Sequence, residues 1–218
     1  RLPETARVYV PGVAAEPFAL AEAFAARPGL AEGLTFFGVW IPGVNRTDWS
    51  ALGTDSRFET LFLAPELREG FAAGRVDFLP LTYTKAWRWL ETCPVDAAIL
   101  QVAPPNDAGD CSLSLSCDFT PAIWERAAVR VAQINPALRP MPGAPAIPLS
   151  AFDAVCELET APRGYDAGAS PLAFSKIAEN IAPLVEDAAA VQFGLGKVQL
   201  AVLPALKDHK KLTLHSGM

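Results

Sequence analysis

The chain has 218 residues, of which 51% are apolar, enough for one large α/β domain or for one domain with a small appendage. Its net charge of −6 comes without a basic run or a basic–aromatic stripe, which excludes the usual electrostatic footprint of a nucleic-acid partner. No apolar run nears the roughly 18 to 20 residues of a membrane-spanning helix, and RLPETARVYV lacks the features of a secretory peptide; a cytoplasmic protein with no membrane partner is expected.

In chain order, strand-like and helix-like segments alternate. Strand Arg7–Val10 leads into helix Pro17–Ala26 and strand Leu34–Trp40. Helix Pro65–Ala73, strand Asp77–Leu81, helix Thr84–Thr92 and strand Ala97–Ala103 follow. Then come helix Pro121–Ala128, strand Val129–Asn135 and strand Phe152–Glu157. Helix Pro171–Asp187, strand Ala190–Phe193, helix Gly196–His209 and strand Leu212–Leu214 close the chain. The runs TFFGVW, AAILQVA and AAVQF are apolar on successive positions, which suits strands covered on both faces of a parallel sheet. Pro183 should end or kink the long helix in which it lies. The five prolines of Asn135–Pro148 read as an ordered surface loop, and Pro162–Pro171 as a linker or loop before the last strand–helix–strand unit. That unit stops at its second strand, so half of a longer chain is expected.

Three stretches invite chemistry. In VQFGLGKVQLAVL, Gly194 and Gly196 form a Gly-x-Gly turn between a strand and a helix, a place where backbone can approach an anion. The dinucleotide fingerprint fails at Gln199 and the P-loop pattern fails as well, so neither NAD nor ATP follows; a turn that only packs reads the same residues. QVAPPNDAGDCSLSLSCD leaves a buried strand and then alternates over Ser112–Ser116, which fits either a ligand loop or a turn into a hairpin. Glu157 and Glu159 could do acid–base work, or could simply be a solvated strand face. No GxSxG elbow occurs. Cys93, Cys111, Cys117 and Cys156 form no CxxC pair and lie far from His209 and His215, so reduced thiols and no metal site are expected. The basic segment Lys207–Lys211 reads as a helix C-terminus.

Taken in order, RVYVPG, GRVDFLPLTYTKAWRWL, AILQVAPPNDAGDCSLSLSCDFT, VAQINPALRP and IPLSAFDAVCE resemble the N-terminal half of the acetyl-CoA hydrolase/transferase family of CoA-transferases. The final block, with its turn at Gly194 and Gly196 and the strand after HKKL, is similar to that family's most specific segment, although Gln199 stands where a proline is usual. The resemblance implies a three-layer α/β domain with a mostly parallel sheet flanked by helices, shared with ribose-5-phosphate isomerases and glucosamine-phosphate deaminases. It implies residues 1–218 as one N-terminal domain, with a loop or linker at 160–171. It further implies CoA transfer between an acyl-CoA and a small carboxylate such as acetate, through a glutamate in a C-terminal half. No catalytic residue is therefore assigned, and this chain alone is expected to be inactive. Coenzyme A enters as substrate, with no other cofactor; a C-terminal CoA-transferase domain and a second copy of the chain are the expected partners. Gly194 and Gly196 match the family's Gly-x-Gly turn and are expected at the cleft. Asn106 and Gly109 of the Pro105–Gly109 loop, and Tyr83 and Thr84, are expected there because they lie at strand ends that should face the same side. The alternative is a non-catalytic ligand-sensing or scaffolding domain of the same fold.

Overall fold

A computed structural model describes residues 2–165 and 171–216, in two compact units, Arg1–Gly164 and Tyr165–Met218. Residues 166–170 of the expected Pro162–Pro171 loop lie outside the described residues.

The first unit is built on seven parallel strands: β1 (Arg7–Tyr9), β2 (Thr35–Gly38), β3 (Arg57–Thr60), β4 (Val76–Phe78), β5 (Ala97–Val102), β7 (Val129–Ile134) and β9 (Ala154–Glu157). Two short strands, β6 (Asp110–Ser112) and β8 (Ala146–Pro148), pair antiparallel beside it. The seven lie in the order β4-β3-β2-β1-β5-β7-β9. The chain thus starts in the middle, fills one side, and returns through β5 to fill the other. All six residues of β5 are buried, as the continuous apolar run required.

The register puts Val8, Phe36, Phe58, Val76 and Ala97 in one row across the sheet. That face packs under helix α1 (Phe18–Ala25) and under Ala64 and Leu67, which lead into the short helix α2 (Arg68–Ala72). Its centre is aromatic, with Trp40 edge-on to Phe58 at 4.9 Å and Phe36 tilted on Trp49 at 5.0 Å. The opposite face carries Tyr9 and Phe37 and is covered by α3 (Tyr83–Leu90), whose Trp89 meets Phe37 at 5.8 Å. Helices on both faces of a parallel sheet make the fold α/β, as expected.

Three strands, β3, β6 and β8, were not expected. The expected helix Pro121–Ala128 is instead two 3-10 turns, Thr120–Ala122 and Trp124–Arg126. The expected alternation over Ser112–Ser116 ends at Ser112, because Ser114 turns the backbone to φ 57° and hands its hydroxyl to the Arg139 carbonyl at 2.6 Å.

In the second unit, α4 (Leu172–Ile181) stops just before Pro183, which sits in a closing 3-10 turn. β10 (Ala190–Phe193) pairs in parallel with β11 (Thr213–Ser216), with α5 (Lys197–Ala205) between them in sequence. His209 Nε2 holds the turn after α4, bonding the carbonyls of Ala182 and Val185 at 3.1 and 2.9 Å. No helix among the described residues is long and apolar enough to cross a membrane.

Candidate functional site

Strand order reverses between β1 and β5, and open parallel sheets bind ligands in the crevice beyond the C-terminal ends of the strands at such a point. Near that point the otherwise apolar sheet carries a cluster of buried polar side chains. Gln101 and Gln133 are register partners on β5 and β7, so they share a face, and Asn135 directly follows β7. All three are buried. Gln101 Nε2 donates to the Ala14 carbonyl at 3.2 Å, and Asn135 Nδ2 donates to Gln101 Oε1 at 2.7 Å.

The loop after β1 is fixed from two sides. Gly12 lies so close to β2 that a Cβ there would stand 1.9 Å from the Val39 carbonyl oxygen, so any larger residue must push the strand ends apart. Its N–H donates to Asp118 Oδ2 at 2.9 Å, and the Tyr9 hydroxyl donates to the same oxygen at 3.3 Å. Burial pushes the Asp118 carboxyl up to about 6, against the opposing pull of the bonds from Gly12, Phe119 and Tyr9. Burial likewise raises Tyr9, with Asp118 adding to the shift.

On the other side lies Asn45, fully buried. Its Oδ1 accepts from the N–H groups of Ile41 and Val13, both at 2.9 Å, and its Nδ2 donates to the Val13 carbonyl and to Glu16 Oε2, both at 3.0 Å. Glu16 is itself 1% exposed, and its Oε1 has no hydrogen-bond partner among the described residues. Its countercharge is Arg163, 3.6 Å away, whose guanidinium lies 4.3 Å above the Phe18 ring. The segment after β9 therefore straps the crevice. Thr160 bonds Asn135 through its N–H and its carbonyl, and Arg163 reaches the loop after β1.

The expected site residues fall in three places. Tyr83 and Thr84 open α3, behind the N-cap Thr82, and half-exposed Tyr83 stacks on Phe119, next to Asp118, at 5.6 Å. Tyr83 is raised by burial and by the nearby Asp118. Asn106 and Gly109 form the turn from β5 to β6: Asn106 Oδ1 accepts from Ala108 and Asp110, and Gly109 takes φ 85°. These bonds are all internal to the turn. Gly194 and Gly196 lie in the second unit, between β10 and α5, with Gly196 as the N-cap. A Cβ on Gly194 would meet nothing within 4 Å, so packing does not demand glycine there, whereas one on Gly196 would meet only the flexible Gln199 side chain.

Sequence reasoning did not single out Asp118, Asn45, Glu16 or the Gln101–Asn135 pair. Its available signal was the polar residue near the end of each apolar run, in AAILQVA and RVAQIN. Glu157 and Glu159 are exposed, as a solvated strand end requires. Cys93 and Cys111 are buried, with burial pushing both thiols up. Among the described residues no three His, Cys, Asp or Glu side chains gather as metal ligands would.

Comparison with known proteins gives this arrangement a lineage. Residues 3–159 match the model of the acetyl-CoA hydrolase/transferase N-terminal domain. The chain is 31% identical over 164 residues to a 4-hydroxybutyrate coenzyme A transferase of Clostridium kluyveri, covering 74% of this chain and 38% of that protein. It is 33% identical over 170 residues to a succinyl-CoA:acetate/propanoyl-CoA:succinate CoA transferase of Fasciola hepatica, covering 74% and 34%. The chain thus matches little more than a third of each curated relative. Among solved structures, RipA from Yersinia pestis superposes with a TM-score of 0.83 at 23% identity, over 99% of this chain and 53% of that one. The chain belongs to the acetyl-CoA hydrolase/transferase family, and what it carries is that family's N-terminal domain.

Proposed function

We propose that the chain forms one wall of the active-site cleft of a CoA-transferase or acyl-CoA hydrolase, which moves CoA between an acyl-CoA and a small carboxylate such as acetate. The observation that carries this reading is the buried polar network at the β1–β5 switch, which joins Gly12, Asn45, Gln101 and Asp118 to the strand ends and is fastened by the 158–163 strap. In the reaction, a glutamate of a C-terminal half attacks the thioester and gives an acyl-glutamyl anhydride and CoA thiolate. The thiolate attacks the glutamyl carbonyl and expels the donor carboxylate, leaving a glutamyl-CoA thioester. The acceptor carboxylate then displaces the thiolate to form a new anhydride, and the thiolate attacks its acyl carbonyl, giving the product acyl-CoA and freeing the glutamate. Easier covalent steps replace one difficult transfer, and preorganised N–H donors steady the oxyanions. This chain holds the substrates in place and excludes water from one side. Gly194 and Gly196, in the second unit, are proposed as substrate contacts; the open space around Gly194 supports a backbone left bare for a ligand. Tyr83, Thr84, Asn106 and Gly109 are proposed at the rim of the cleft.

The test is isotope exchange by the complete protein that contains this chain. Labelled acetate should enter acetyl-CoA with ping-pong kinetics, and a hydroxylamine-sensitive CoA adduct should form on a glutamate outside residues 1–218. Tight acyl-CoA binding without exchange would contradict this, and would fit a ligand-sensing domain of the same fold.

A further inference from the structure

Val13 carries a strained backbone beside this polar network. Its φ of 54° lies in the left-handed region, which suits glycine and disfavours a β-branched residue by roughly tenfold or more. It follows Gly12 on the loop leaving β1, and its side chain is half-buried. Such conformations persist only where the surroundings over-determine them, and they gather at functional sites.

Asp118 holds the preceding Gly12, and both hydrogen bonds to Val13 itself come from one side chain. Asn45 closes on Val13 from both ends, accepting from its N–H at 2.9 Å and donating to its carbonyl at 3.0 Å. The same amide ties in the Ile41 N–H at the exit of β2 and the Glu16 carboxylate. Every hydrogen-bonding direction of this buried amide is thereby directed at the loop or at its anchor. An aspartate could not donate, and a leucine of similar size could neither accept nor donate. The arrangement is therefore specific to Asn, and it holds Val13 where an isolated loop would not stay.

We infer that Asn45 is a positioning residue that clamps Val13 in this strained conformation, so that the loop after β1 presents a fixed wall to the crevice. The inference rests on the crevice being the CoA-transfer cleft proposed above. It separates two properties that a merely structural role would join. Relaxing the loop should raise stability and lower turnover.

The experiment uses the complete protein containing this chain, with Val13→Gly, Val13→Ala, Asn45→Ala and the double variant Asn45→Ala/Val13→Gly. Val13→Gly removes the Cβ that makes φ 54° costly, whereas Val13→Ala keeps it and loses two methyl groups. Denaturation midpoints should therefore rank Val13→Gly at or above wild type and Val13→Ala below it. Asn45→Ala should lower the folding equilibrium constant roughly 30-fold or more, and by about fivefold less than that in the Val13→Gly background. Val13→Gly should lose roughly tenfold in kcat/KM despite its stability. If Asn45→Ala does not fold, Asn45→Ser, a neutral polar side chain too short to span both ends of Val13, should show the same coupling.

Additive effects of the two substitutions, or a Val13→Gly variant less stable than Val13→Ala, would overturn the clamp. So would full kcat/KM in Val13→Gly. Wild-type protein that transfers no CoA at all would instead remove the functional reading, a result visible before any variant is made.

Discussion

Asp118 shows how one residue's environment becomes measurable. Its carboxyl takes Gly12 N–H and Tyr9 O–H on one oxygen, yet burial still lifts it from 3.8 to about 6. A raised carboxyl means that the folded state holds the proton more tightly than the unfolded chain. Its stabilising contribution is complete below the unfolded value and is lost as pH rises through about 6. Asp118→Asn keeps an acceptor for both donors and cannot ionise. Its stability relative to wild type should rise between roughly pH 4 and pH 6 and level off above, by about 2 kcal/mol after allowing for partial solvent access. Urea titrations at stepped pH measure this; a flat difference would contradict the buried carboxyl. Nothing in CDFT marked this aspartate, because its partners Tyr9 and Gly12 lie 109 and 106 residues away in sequence.

At the scale of elements, what was legible was the continuous apolar run. AAILQV gave a strand at its expected place because burial on both faces leaves no other pattern, and AVQF gave one too, although that strand alternates exposed and half-buried residues instead of being covered on both faces as expected. β3 hid because RFET alternates. Phe58 and Thr60 are buried, while Arg57 is exposed and Glu59 is partly so. Its polar half has a partner across the sheet: Arg7 on β1 forks onto Glu59, with both bonds at 2.7–2.8 Å, and passes 5.1 Å above Phe37. The Arg57–Asp77 pair has similar length but lies about half-exposed at each end. A double-mutant cycle between Arg7→Met and Glu59→Gln should give a coupling of about 1–2 kcal/mol, and the equivalent cycle at Arg57 and Asp77 about 0.5 kcal/mol or less. Equal couplings would show that burial does not separate the two pairs. The Pro121–Ala128 misreading has its own reason. Ile123 at φ −135° breaks the helical path, and Arg126 donates instead to the Leu90 and Cys93 carbonyls, tying the segment to the end of α3.

For the whole molecule, the family was readable from the order of several weak motifs, whereas the crevice was not. Its walls come from residues spread between Gly12 and Arg163, which only the strand order brings together. Gly194 and Gly196 were visible because two glycines stand together in sequence. The central claim is that this chain supplies a wall and another segment supplies the nucleophile. The most direct test is thiol release from acetyl-CoA, with and without acetate, by folded residues 1–218 alone and again after the C-terminal half is supplied. The account predicts no release from the chain alone and turnover only when both halves are present; steady release by the chain alone would place a nucleophile within these residues and contradict it.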